Sequence, residues 1–213
     1  MPRTSRSGPS AATSPPGIAA TGDGHESALL IVDMISGWDF PDAAPLLRQA
    51  SPIAPCIASL KKRCLASGVP VIYANDNRGQ WRSDFRHVVR AALDQKGAGA
   101  AITRQLEPSD DDYFVLKPRH SAFYATPLDI LLAVLGTRRL IVAGVSSDQC
   151  VLQTAADARM RNLEVVVPRD CVATQSAARN RRAITHFEEV LSVKTSPSRS
   201  VRLGGARARA ARS

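Results

Sequence analysis

Residues 140–158 read LIVAGVSSDQCVLQTAADA. Four apolar residues run into Gly144, a short polar turn follows, and a helical pattern begins. Asp148 stands where a helix N-cap belongs. Cys150 falls in the first turn of that helix, which the pattern carries over 148–161. A buried strand, a tight turn and a helix make half of a βα unit. Repeated, such units build a parallel sheet.

The pattern repeats in both directions. Apolar runs at Ala28–Asp33, Val69–Asn75, Tyr113–Leu116, Arg139–Ala143 and Leu163–Val167 read as strands, and Val190–Val193 as a sixth. None alternates cleanly between polar and apolar, which suits strands covered on both faces. Between them, Pro45 to Ser67 reads as a helix closed by Gly68. Thr126–Leu135 is a second, with Thr126 as cap, Pro127 at the first helical position and Gly136 at its end. Residues 148–161 and 175–188 supply two more. The expectation is a doubly wound, mostly parallel six-stranded sheet with helices on both faces, a Rossmann-like αβα sandwich. Ligands of such sheets bind at the carboxyl ends of the strands. Asp33, Asn75–Asn77, Lys117 and Val145–Cys150 lie there.

The chain has 213 residues, 44% of them hydrophobic, enough for one sizeable core. Residues 27–193 form the expected domain. Residues 1–26 are rich in Ser, Pro, Ala, Thr and Gly and read as a disordered tail. The net charge of +9 invites a nucleic-acid reading, but six basic residues and no acid lie in 194–213. Without them, 22 basic residues face 19 acidic ones. Residues 194–213 therefore read as a basic disordered tail, and nucleic acid is not an expected partner. No apolar run approaches the ~18 residues of a membrane span. Four cysteines without a secretory leader fit reduced thiols in a cytoplasmic protein.

The strand ends hold an acid (Asp33), a lysine (Lys117) and a cysteine (Cys150), 84 and 33 positions apart. The helix dipole and a nearby ammonium would favour the Cys150 thiolate. A carboxylate in reach would move its proton. Only the fold can bring the three together.

Here the sequence resembles the isochorismatase-like cysteine hydrolases, which include nicotinamidases and N-carbamoyl and ureido amidohydrolases. The matching segments are ALLIVDM (28–34), PVIYANDN (70–77), VLKPRHSAF (115–123), residues 140–158 as quoted, and VVPRDCVAT (166–174). The resemblance implies an αβα fold and a triad of Cys150 as nucleophile, Asp33 as general base and acid, and Lys117 between them. It places a cis peptide at Val145–Ser146 and an oxyanion hole in the Ser146 and Cys150 amides. The implied reaction cleaves a C–N bond of a small amide, carbamoyl or ureido substrate. A thioester forms, ammonia or an amine leaves, and water activated by Asp33 completes the hydrolysis. Two alternatives stay open: vinyl-ether hydrolysis of isochorismate, which does not use the thiol, and a non-catalytic ligand-binding scaffold.

Near these motifs, Trp38, Phe40, Trp81 and Phe123 are candidates for the pocket wall, each equally a candidate for the core. Asn77, Arg78, Arg119 and His120 would suit a polar or anionic substrate, although arginines more often form surface ion pairs. Cys56 and Cys64 read as packed thiols, and so does Cys171, although its place after the fifth strand also makes it a candidate to approach the pocket. Metal-containing relatives carry a carboxylate and two histidines. The corresponding loop, 75–79, has no histidine, so neither metal nor another cofactor is expected. A homo-oligomer is expected by analogy.

Overall fold

The computed structural model describes residues 26–79, 81–82 and 84–203. Its strands are β1 (Ser27–Val32), β2 (Val71–Asp76), β3 (Tyr113–Lys117), β4 (Arg139–Val145), β5 (Glu164–Val166) and β6 (Val172–Ala173). The helices are α1 (Ala43–Ala66), α2 (Phe85–Leu93), α3 (Ala98–Gln105), α4 (Leu128–Val134), α5 (Cys150–Met160) and α6 (Ala177–Glu189). The sheet order is β3-β2-β1-β4-β5, and every pairing is parallel. β5 pairs with the start of β4 and β6 with its end, so two short strands share one edge.

β1 lies at the centre, buried along its whole length. Successive side chains point to opposite faces. Leu29 and Ile31 enter a layer with Leu46, Ile57 and Leu60 of α1 and Ile102 of α3. Ala28, Leu30 and Val32 enter another with Leu132 of α4, Val151 of α5 and Phe187 of α6. Each fully buried Leu, Ile or Phe contributes about 1.5–3 kcal/mol. The unbroken apolar runs therefore stabilise both faces, as the doubly wound reading requires. α1 ends as its sequence suggests. Gly68 takes φ +68°, its amide donates to the Leu65 carbonyl, and the Val69 amide donates to that of Cys64. These bonds satisfy the last carbonyls of the helix.

Four expectations are corrected. Val190–Val193 is not a strand: Val190 closes α6, and the sixth strand is Val172–Ala173. Lys194 alone beyond α6 bridges to Val166. The second expected helix is shorter than Thr126–Leu135: α4 runs from Leu128 to Val134 with Pro127, not Thr126, in the cap position, and the Leu128 amide donates to the Thr126 hydroxyl. The segment between β2 and β3 holds α2 and α3, neither of which was read from the sequence. Asp84 marks the start of α2 by accepting the His87 amide.

The fourth correction concerns 194–203, expected as part of a disordered tail. Asp170 accepts both the amide and the hydroxyl of Ser198, at 2.7 and 2.8 Å. The Arg63 guanidinium donates to the Ser198 and Val201 carbonyls, and Val201 is buried. Residues 1–25 and 204–213 lie outside the described residues.

Candidate active site

The carboxyl ends of β1, β2 and β3 lie side by side, and each carries a charged residue. Asp33 follows β1 in a left-handed conformation, φ +54°. Its amide donates to the Ala74 carbonyl, and its Oδ1 accepts the Asp76 amide at 2.8 Å. Oδ2 lies 2.9 Å from Lys117 Nζ. Lys117 is the last residue of β3, registered against Asp76 of β2. Its side chain therefore crosses the end of β2 to reach β1. It is fully buried. Its ammonium faces Cys150 Sγ at 3.5 Å and Asp76 Oδ2 at 3.7 Å.

Cys150 arrives from the other side of β1. β4 and β1 approach so closely that a Cβ on Gly144 would stand 2.0 Å from the Val32 carbonyl oxygen. No other residue fits, and Gly144 also takes φ +116°. The turn that follows contains the cis Val145–Ser146 peptide. The Ser146 carbonyl accepts the Gln149 and Val151 amides, each at 3.1 Å. Cys150 lies between these two donors, in the first turn of α5, where helix amides have no intrahelical acceptor. Asp148 does not cap the helix. Its Oδ1 accepts the Thr174 hydroxyl at 2.6 Å, and its Oδ2 pairs with Arg179 Nε at 2.7 Å.

The electrostatics correct one expectation. The Cys150 thiol is not acidified but pushed up to about 12. Burial is the largest cause and the facing Asp33 carboxylate the next, and Lys117 offsets them only in part. Burial also opposes the Lys117 charge, but Asp33, then Cys150, with Asp76 adding less, outweigh it, and its pKa is raised. The resting site is a neutral thiol beside a carboxylate–ammonium pair. Asp33 is the carboxylate that faces Sγ.

Residues 27–196 match the family model described as Isochorismatase domain. The chain belongs to the isochorismatase family. It is similar to the "Uncharacterized isochorismatase family protein YaaI" of Bacillus subtilis, with 39% identity across 78% of this chain and 91% of that protein. It is 33% identical to the streptothricin hydrolase of Streptomyces noursei over 69% of this chain, but spans only 54% of that relative. A crystal structure of an isochorismatase family protein from Desulfovibrio vulgaris superposes with TM-score 0.67 and 26% identity, covering 83% of this chain and 96% of that one. The molecule is thus an isochorismatase-family hydrolase.

Around Asp33, Lys117 and Cys150, the residues expected to line a pocket in this family member are placed unequally. His120 is exposed and brings Nδ1 to 3.9 Å from Sγ. Asn77 is buried in its own loop: its amide donates to the Lys117 carbonyl, and its Oδ1 accepts the Gly79 amide. Phe40 lies half-buried under the Arg78 guanidinium, 4.7 Å from the ring centroid. Arg78 also bonds Asp39 and the Ser36 hydroxyl, tying the loop after β2 to the loop after β1. Trp38 is packed against α3, where a Cβ on Gly99 would meet its ring at 2.5 Å. Phe123 belongs to the α4–α6 core layer beneath the Arg161 guanidinium. Trp81 and Arg119 are exposed.

Sequence reasoning placed Asp76 at a strand end, within 75–77, but gave it no part in the charged cluster. The available signal was a carboxylate ending the strand between those of the acid and the lysine. Among the described residues, no group of three or more His, Cys, Asp or Glu is placed to hold a metal ion. Nor is any helix among them long and apolar enough to cross a membrane.

Proposed function

We propose that this hydrolase cleaves the C–N bond of a small amide, carbamoyl or ureido compound through a thioester on Cys150. The observation that carries the reading is the chain of contacts from Sγ to Lys117 Nζ, 3.5 Å, and on to Asp33 Oδ2, 2.9 Å. Cys150 gives its proton to Asp33 as the sulfur attacks the carbonyl carbon. Lys117 stabilises the negative charge on sulfur as it develops. The Ser146 and Cys150 amides hold the tetrahedral oxyanion, an interaction type in which one donor is worth about 3–4 kcal/mol of barrier. Protonated Asp33 then protonates the departing nitrogen, and ammonia or an amine leaves. Water attacks the thioester, gives a proton to Asp33, and the thiol is restored.

Vinyl-ether hydrolysis has no use for a nucleophilic sulfur, and a silent scaffold has no use for a fully buried ammonium beside one. Both facts favour C–N cleavage. The test is ammonia release across carbamoyl, ureido and primary carboxamide compounds, with intact-mass detection of an acyl adduct. A substrate that leaves an adduct on the wild type and none on Cys150→Ala supports the proposal. Turnover undiminished in Cys150→Ala would defeat it.

A further inference from the structure

An aspartate just before a helix ordinarily accepts an amide two or three residues ahead. Asp148 lies one residue before the cap position, held by Gln149; of the amides two and three residues ahead, that of Val151 already donates to the Ser146 carbonyl, which leaves that of Cys150. A carboxylate there would gain from the positive end of the α5 dipole. Asp148 forgoes this. Its two oxygens are held by Thr174, fully buried at the end of β6, and by Arg179 on α6. α5 starts with no side-chain cap, as do α1, α3 and α4, whereas α2 and α6 are capped by Asp84 and Ser176.

The missing cap has a chemical meaning. On the thioester reading above, on which this inference rests, the Cys150 amide must donate to the substrate oxyanion. A capping carboxylate would compete for that N–H and repel the oxyanion. We propose that Arg179, assisted by Thr174, is a positioning residue. It holds the Asp148 carboxylate away from the α5 N-terminus and keeps the Cys150 amide open for the transition state.

Two probes of the full-length enzyme separate this role from general scaffolding. p-Nitrophenyl acetate acylates Cys150 through a tetrahedral oxyanion: the S–C bond forms, the C–O bond to p-nitrophenolate breaks, and Asp33 takes the thiol proton. Iodoacetamide alkylates the same sulfur by displacement of iodide, with no oxyanion. Arg179→Met should slow acylation by about 100-fold and leave alkylation unchanged. Thr174→Val, which frees one carboxylate oxygen, should slow acylation less. Asp148→Ala should acylate at the wild-type rate, and adding it to Arg179→Met should recover most of the loss. That recovery is the outcome a structural role does not produce.

Equal slowing of acylation and alkylation in Arg179→Met and Thr174→Val would overturn the inference. So would an Arg179→Met, Asp148→Ala double variant no faster than Arg179→Met. If Arg179→Met does not fold, Thr174→Val with and without Asp148→Ala decides by the same criteria. A wild-type enzyme that alkylates at Cys150 but never acquires the acetyl mass would instead defeat the thioester reading, and this inference with it.

Discussion

Among the described residues two lysines are buried, Lys61 and Lys117, and they are used in opposite ways. Lys61 on α1 donates to the Tyr73 hydroxyl and the Glu107 carbonyl, each at 2.9 Å, and to the Asp112 carboxylate at 2.7 Å. An ammonium has three protons, and all three are committed. Tyr73 in turn donates its hydroxyl to the Leu106 carbonyl. Lys117 has one close partner, Asp33, and two longer contacts to a sulfur and a second carboxylate. The Asp112 side chain is 1% exposed, against 18% for Asp33 and 39% for Asp76. A set of short bonds that uses every Lys61 proton fastens α1 to β2 and the approach to β3. An open set, with a thiol in it, leaves interaction energy to be gained as charge moves.

The contrast breaks most visibly on activity. Lys117→Met should lower turnover by about 10³-fold, and Cys150→Ser by at least about 10⁴-fold, both with near-wild-type melting. Lys61→Met should reverse the pattern. It strands the Asp112 carboxylate in the interior, which costs about 3–5 kcal/mol, read by urea unfolding. Turnover per folded molecule should be unchanged. Loss of activity in Lys61→Met at preserved stability would erase the distinction.

A smaller effect sharpens the electrostatic half of the comparison. The Cys150 thiol is raised from its ordinary 9.0 to about 12, so the folded state binds this proton more tightly than the unfolded chain. Its contribution to stability is complete below pH 9.0 and is lost as pH climbs through about 12. Wild type should therefore lose more stability than Cys150→Ala between these limits. Alkylation of Cys150 by iodoacetamide should be slow at neutral pH and quicken as pH rises. A rate already at its plateau at pH 7 would contradict the neutral resting thiol. The smallest effect concerns the segment after α6. Arg63→Met removes two charge-assisted bonds to 194–203 and should cost about 1.5–3 kcal/mol. That segment should become more sensitive to protease while turnover is retained.

Much of this molecule is legible in its sequence, for identifiable reasons. Five apolar runs locate strands because a parallel sheet is covered on both faces. Asp33, Lys117 and Cys150 stand out because all three occupy strand ends or the turn after one. β6 was missed because two residues carry no period. α2 and α3 were missed because their short amphipathic patterns sit among glycines and charges. The packing of 194–203 depends on Arg63 and Asp170, remote in sequence, and composition alone suggested a loose tail. The thiol was expected to be ionised because the dipole and ammonium are readable locally. Burial and the facing carboxylate, which decide the sign, exist only in the assembled fold. Asp148 was expected to cap for the same reason: its competitors, Thr174 and Arg179, lie 26 and 31 residues away.

The reach of Lys117 over the end of β2 also bears on the life of the chain before it is finished. Acid, ammonium and sulfur come from three separate stretches, and the last is joined to the first only when β4 docks beside β1, more than a hundred residues later. Such long-range pairings form late and together. An unfinished, clipped or misfolded copy thus carries an ordinary cysteine and no working centre, so the power to cut arrives only with the completed sheet.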